Sequence, residues 1–208
     1  MAKEHMNKDN YIHPKLWQAE AGNRFAKPVA QVHEFYLSGP IGDAEEYIEW
    51  FDVIRNAGPH DTVRIYINSP GGDLYTTLQF LRVMSDTDAT VVCSVEGACM
   101  SAATMIFLHA HVHEVTPHSL FMFHDYSSGT FGKGGEQYDQ IQFERQWSKQ
   151  FMTEVYRDFL TEAEIESMMH NKDIWMGHEE VVARLERLQT KRVEQAKNTS
   201  APNTENDT

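Results

Sequence analysis

Between residues 32 and 108 the sequence alternates three times between a strand-like and a helix-like segment. The predicted strands are rich in β-branched and aromatic residues, and the segments between them repeat apolar residues at helical spacing. These strands cover 32–37, 63–68 and 89–95, and the helices cover 44–56, 74–84 and the apolar segment that follows Ser101. Such alternation is typical of parallel strands joined by crossover helices. The sequence therefore predicts an α/β fold.

The rest of the chain carries two short strand candidates, 113–115 and 119–124, and then a glycine-rich segment, 127–135, that we expect to be a mobile loop or an irregular hairpin. The longest predicted helix covers 136–160, and its apolar side chains recur every fourth residue from Phe143 to Phe159. Four further apolar residues broaden this stripe: Tyr138, Ile141, Met152 and Tyr156. That stripe is broader than one contact face of a surface helix needs. Core packing and a subunit interface both explain it.

Composition excludes several classes of protein. A chain of 208 residues with 41% hydrophobic residues predicts one domain, and a net charge of -13 argues against a nucleic-acid partner. The two cysteines, Cys93 and Cys99, suggest neither a disulfide framework nor a metal site, and a reducing, cytoplasmic location fits them. We expect no signal peptide and no membrane span, and no cofactor is indicated. No phosphate-binding loop of the G-x-x-x-x-G-K-[ST] kind occurs, so the chain does not hydrolyse ATP by that route.

Ser101 is the first candidate for chemistry, because it stands at a predicted strand-to-helix corner among glycine and alanine residues. Small neighbours let a substrate approach, and the first N–H groups of a helix point outward from such a corner. A helix cap is the commoner role for a lone serine. The G-x-S-x-G pattern of α/β-hydrolases is missing, since Cys99 and Ala103 occupy the two glycine positions.

A serine nucleophile needs a base, an orienting group and donors for the oxyanion. His124 is the favoured base, because it ends an apolar strand beside the glycine-rich segment. The residues alone leave the carboxylate open among Asp125, Asp139, Asp158 and Asp173. Gly71 and Gly72 form either a tight turn or a bare backbone that faces a negative charge. Cys99 is a rival nucleophile that is more often a buried apolar residue.

Five motifs, taken together, resemble the proteolytic subunit of the Clp protease. They are Phe35-Tyr-Leu-Ser-Gly-Pro-Ile, Ile65-Tyr-Ile-Asn-Ser-Pro-Gly-Gly, Gly97-x-x-x-Ser-Ala-Ala, Phe121-Met-Phe-His and Asp173-Ile-Trp-Met. The resemblance implies a crotonase-like spiral of strand-strand-helix units with a protruding handle helix. It implies a catalytic domain at 33–187 with the handle at 125–160. We interpret 1–32 as an N-terminal arm and expect 188–208 to be a disordered tail.

The same resemblance implies a serine endopeptidase without metal or cofactor. By position, Ser101 is similar to the family's nucleophile, His124 to its general base and Asp173 to the residue that orients the base. The backbone N–H groups of Gly72 and Ala102 occupy the positions of the family's oxyanion hole. Gly71 and Asp125 occupy positions that would contact the substrate. Heptameric rings, either single or stacked in pairs, would enclose the sites, and an ATP-dependent AAA+ unfoldase would supply unfolded protein.

This chain also departs from the family pattern. Ala102 replaces the usual methionine without removing the backbone N–H, and Asp125-Tyr126 replaces Gln-Pro. Residues 1–32 do not resemble the family's N-terminal segment, and a helical sequence from Val181 replaces the usual final strand. The alternatives are a phage head-maturation protease of the same fold, a non-catalytic scaffold or assembly protein, and a crotonase-like acyl-CoA enzyme.

Overall fold

Six β-strands form one sheet in the computed structural model, which describes residues 29–199, with side chains as far as Lys191. The strands are β1 (Val32–Ser38), β2 (Thr62–Ser69), β3 (Thr90–Met100), β4 (Val112–Val115), β5 (Leu120–Phe123) and β6 (Ile174–Gly177). Most of the predicted arm, and residues 200–208 of the predicted tail, lie outside the described residues. The predicted α/β fold class is confirmed.

The sheet is parallel except at its last strand. β1 pairs with β2 and β2 with β3, in each case parallel. β3 then serves two neighbours: its first half pairs with β4, and its second half, Ala98–Met100, pairs with Leu120–Met122 of β5. β6 runs antiparallel to β5 and pairs Phe123 with Ile174. The carboxyl ends of β3 and β5 therefore meet at one edge of the sheet.

Helices connect and flank these strands. They are α1 (Ile48–Asn56), which follows a 3₁₀ turn at Ala44–Tyr47, α2 (Leu74–Asp86), α3 (Ala102–His109), α4 (Gly134–Tyr156), α5 (Glu162–Met169) and α6 (His178–Thr199). A capping box begins α5, because the Thr161 hydroxyl accepts a hydrogen bond from the N–H of Glu164 while the Glu164 carboxylate accepts one from the N–H of Thr161.

Three element ends differ from the sequence prediction by four residues or more. β3 continues five residues past the predicted end at Val95 and stops only at Met100, one residue before Ser101. The strand persists because β5 offers it new partners where β4 ends. α4 stops at Tyr156 instead of 160, and α6 continues to Thr199, beyond residue 188 where we placed the start of the tail.

The apolar core lies between the sheet and its helices. On β2 the side chains of Val63, Ile65 and Ile67 are buried in strict alternation with partly exposed neighbours. α3 is buried at every position from Ala102 to Leu108, which fits its lack of a polar face. A helix so enclosed holds its first turn in a fixed position, and Ser101 immediately precedes that turn.

α4 has two different halves. Toward its C-terminal end Ser148, Met152 and Tyr156 are buried against the core. Toward its N-terminal end Tyr138, Ile141 and Phe143 are 64%, 45% and 71% exposed. The apolar stripe therefore divides into a part that packs within the chain and a part that stays uncovered in the single chain.

Candidate active site

The turn at Ser101 has an unusual backbone. Ser101 has φ 52° and ψ -127°, a conformation that residues with a side chain seldom adopt and that costs on the order of 1–3 kcal/mol. Its N–H donates to the carbonyl oxygen of Met122 at 2.8 Å, and its own carbonyl accepts from the N–H of Thr104 at 2.9 Å. The strand, the helix and β5 together hold the serine in this geometry.

His124 contacts the serine directly. Its Nε2 lies 2.6 Å from Ser101 Oγ. The contact follows from the pairing of β3 with β5. Because Met100 pairs with Met122 in parallel, Ser101 and His124 follow the ends of neighbouring strands at the same edge of the sheet. With the proton of a neutral imidazole on Nδ1, the Ser101 hydroxyl donates to Nε2, the arrangement in which a base accepts a nucleophile's proton.

The Gly71-Gly72 turn packs against the other side of the serine. A side chain at Gly71 would place its Cβ 2.7 Å from Ser101 Cβ and 2.7 Å from the carbonyl oxygen of Met100, and φ there is +92°. A Cβ at Gly72 would collide with the backbone of Ile41. The buried hydroxyl of Ser69 accepts a hydrogen bond from the Gly71 N–H at 3.1 Å. Both glycines are therefore required by close backbone approach.

Two backbone N–H groups beside the serine have no acceptor among the described residues. The bridge between Ile41 and Gly72 uses the carbonyl of Gly71 and the N–H of Asp73, which leaves the N–H of Gly72 unused. Ala102 is the first residue of α3, so its N–H has no partner within the helix. Both residues line the same cavity as Ser101.

Asp173 lies just before β6, and the antiparallel pairing of Phe123 with Ile174 puts it across from His124. Its side chain is exposed, and within the described part of the chain it forms no hydrogen bond with the imidazole. The structure thus brings Asp173 close in register without joining it to His124. Its role as the orienting carboxylate stays a prediction.

Asp125 directly follows His124 and is half-buried. Burial raises the pKa of its carboxyl, while a hydrogen bond from the N–H of Tyr126 and the charges of His124 and Arg145 act in the opposite direction. Asp139 and Asp158, the other carboxylates left open by the sequence, are exposed and do not line the cavity at Ser101. The predicted contact of Asp125 with substrate stays untested.

Cys99 is a poor candidate for the nucleophile. Its side chain is 0% exposed, and burial raises the pKa of the thiol well above its usual range. A buried neutral thiol is unreactive, since the thiolate is the nucleophile. The structure favours the packing role that the sequence had left open beside the reactive one.

A cavity of about 900 Å³ opens at Ser101. Its walls include apolar side chains from three elements, α3, β5 and α4: Met105, Met122, Phe143, Trp147 and Met152. Sequence reasoning missed these residues as cavity lining, because methionine and aromatic residues at such spacing indicate only a packed face.

Among the described residues no cluster of three or more His, Cys, Asp or Glu could hold a metal ion. Nor does any described helix have the length and apolar character to cross a membrane.

The site combines a serine hydroxyl hydrogen-bonded to an imidazole with unused backbone N–H groups and an open cavity. This is the arrangement of a serine hydrolase. The comparison with known families agrees. The model of the Clp protease family matches residues 18–184, and the chain belongs to that family. Membership implies a peptidase and confirms the resemblance drawn from the sequence motifs.

Proposed function

We propose that this protein is a serine endopeptidase in which Ser101 is the nucleophile and His124 the general base. The observation that carries the proposal is the 2.6 Å contact between Ser101 Oγ and His124 Nε2 at an open cavity. A helix cap would instead turn its hydroxyl toward the N–H groups of α3, and Ser101 makes no such hydrogen bond.

The reaction would proceed in two stages. The Ser101 oxygen attacks the peptide carbonyl as His124 removes its proton, and the carbonyl oxygen becomes an oxyanion that accepts hydrogen bonds from the Gly72 and Ala102 N–H groups. His124 then donates the proton to the leaving amine, and an acyl-enzyme forms. Water, activated by the same imidazole, releases the acyl group and restores the serine.

Asp173 would hold the imidazole in the tautomer with Nδ1 protonated. Its place across from His124 supports this role, and an exposed aspartate changes rotamer at small cost when substrate orders the site. Gly71 and Asp125, which flank the serine turn and the base, would contact the substrate chain.

A fluorophosphonate probe tests the proposal, because it reacts with an activated serine. We expect the wild-type protein to be labelled and Ser101→Ala to be unlabelled, with a loss of peptidase kcat on the order of 10⁴ or more. Labelling that persists in Ser101→Ala would overturn the assignment. Iodoacetamide inactivation that Cys99→Ser prevents would favour the thiol, and an assembled particle without labelling or cleavage would favour a scaffold.

We further propose that the enzyme is a closed homo-oligomer of heptameric rings, either single or stacked in pairs. The uncovered aromatic half of α4 supports this, because single chains seldom expose several neighbouring apolar side chains. Membership of the Clp protease family supports an AAA+ unfoldase as the partner that would feed the chamber, and that partner would hydrolyse the ATP. Two cysteines that form no disulfide fit the reducing cytoplasm.

A further inference from the structure

A chain of hydroxyl groups joins the serine turn to the last turn of α4. Thr104 Oγ1 donates to the carbonyl oxygen of Ser101 at 2.6 Å. The same Oγ1 lies 2.8 Å from the hydroxyl oxygen of Tyr156. Both side chains are 0% exposed, so water does not compete with either bond. The carbonyl of Ser101 thus receives two donors from Thr104, its N–H at 2.9 Å and its hydroxyl.

The direction of the chain is fixed by counting protons. A carbonyl oxygen only accepts, so the single proton of the Thr104 hydroxyl points at Ser101. The Tyr156 hydroxyl must then donate to Thr104 Oγ1. Each donor in such a chain polarises the next, which strengthens the final bond to the Ser101 carbonyl.

That carbonyl belongs to the same planar peptide unit as the N–H of Ala102. In a trans peptide the C=O and the N–H point in opposite directions, and the unit turns as one rigid plane. The N–H and the hydroxyl of Thr104 hold the Ser101 carbonyl toward α3. The Ala102 N–H is therefore aimed to the opposite side. The strained backbone of Ser101 makes the constraint necessary, because without it the unit would relax toward a commoner conformation.

We infer that Thr104 and Tyr156 are positioning residues that orient the Ser101–Ala102 peptide unit, and with it the Ala102 donor of the oxyanion hole. The inference rests on the proposed function, because an aimed donor has a purpose only if a negative oxygen forms at Ser101. Neither residue touches the substrate. Their effect should appear in the chemical step and not in substrate binding.

The test compares four variants by steady-state peptide hydrolysis, fluorophosphonate labelling rate and thermal unfolding. Thr104→Val keeps the shape and removes the donor, and we expect kcat to fall about 10- to 100-fold with KM unchanged, less than the loss of a whole oxyanion donor. Thr104→Ser keeps the hydroxyl and should stay within about threefold of wild type. Tyr156→Phe removes only the hydroxyl that donates to Thr104 Oγ1, and it should lower kcat about two- to fivefold.

The double variant Thr104→Val/Tyr156→Phe separates positioning from stability. Thr104→Val alone leaves the buried Tyr156 hydroxyl unpaired and should lower Tm, whereas the double variant removes both polar groups and should recover part of that loss. We expect kcat of the double variant to stay as low as that of Thr104→Val. Recovery of kcat together with Tm would overturn the inference, as would a Thr104→Val enzyme with wild-type kcat. If Thr104→Val does not fold, Tyr156→Phe and the double variant carry the same comparison.

The proposed function and the inference fail in different ways. A wild-type protein that the probe does not label refutes the proposed function, and the inference falls with it. A wild-type protein that is labelled, together with variants whose labelling rates match it, refutes the inference alone.

Discussion

Ser101 shows how one residue depends on its neighbours for an unfavourable conformation. Its positive φ is held by hydrogen bonds at both its N–H and its carbonyl, and by the glycine that packs on its Cβ. Gly71 has no side chain and so leaves room for the Ser101 Cβ, and the Thr104 hydroxyl gives the Ser101 carbonyl a second hydrogen-bond donor. A conformation held from several sides is pre-organised, so little reorganisation is required when the reaction begins.

Asp173 and Asp125 provide a test of the third catalytic residue. We expect Asp173→Asn to lower kcat by roughly 10³ to 10⁴, because an amide would favour the wrong imidazole tautomer. Asp125→Asn is the matched control, since it removes a carboxylate adjacent to the same histidine in sequence and should change kcat by less than about tenfold. The measurement is peptide hydrolysis by both variants over a range of pH.

The opposite ranking would contradict this assignment. If Asp125→Asn lost more activity than Asp173→Asn, the half-buried carboxylate next to His124 would be the orienting group. Equal and small losses would indicate that Ser101 and His124 act without a carboxylate.

At the scale of elements, α5 and α6 are joined by a partly buried ionic cluster. Arg184 of α6 is bound by Glu164 of α5 at 2.7 Å and by Glu180 at 2.7 Å, and its side chain is 10% exposed. The guanidinium and the capping hydrogen bonds at Thr161 lower the pKa of Glu164 to about 2. The cluster therefore links the start of α5 to the helix that follows β6.

This pKa predicts how stability responds to acid. Glu164 ionises at a lower pH in the folded chain than in the unfolded one, so its contribution is complete above pH 4.5 and is lost as pH falls toward about 2. We expect Glu164→Gln to lower the free energy of unfolding by about 1–3 kcal/mol at pH 7. The difference from wild type should shrink between pH 5 and pH 2, as measured by urea unfolding at fixed protein concentration.

Glu162→Gln is the matched control, because Glu162 begins the same helix and is exposed. Its effect should be a few tenths of a kcal/mol. A difference between Glu164→Gln and wild type that stayed constant with pH would show that the ion pair does not set the stability of this region.

At the scale of the whole molecule, the uncovered half of α4 is the surface on which the proposed assembly depends. Tyr138 and Ile141 are exposed on this half and do not line the cavity at Ser101. We expect native mass spectrometry to find the wild type as a ring-sized oligomer. The double variant Tyr138→Ser/Ile141→Ser should shift the distribution to smaller species, since it removes apolar contact area.

Gln142→Ser/Gln146→Ser changes two exposed polar residues of the same helix and serves as the control, which should leave the oligomer intact. A wild-type monomer at micromolar concentration would refute the proposed assembly. So would an oligomer that withstands the Tyr138 and Ile141 changes as well as it withstands the control changes.

The sequence by itself determined the α/β class, the order of its elements as far as α4, and the candidates Ser101 and His124. Periodicity reports local choices reliably, since alternation along β2 and the apolar run of α3 follow from which face each residue buries. The motifs resembling the Clp protease added the roles of Gly72, Ala102 and Asp173, which periodicity left open. Family membership is confirmed, and those individual roles remain predictions.

Only the tertiary structure decided which distant residues meet. The extension of β3 to Met100 depends on β5, and the contact of Tyr156 with Thr104 joins residues 52 positions apart. No local pattern records such contacts, because a buried hydroxyl at Thr104 and an aromatic stripe on α4 each look like ordinary packing. The positive φ of Ser101 is set in the same way, by hydrogen bonds from elements that the chain reaches much later.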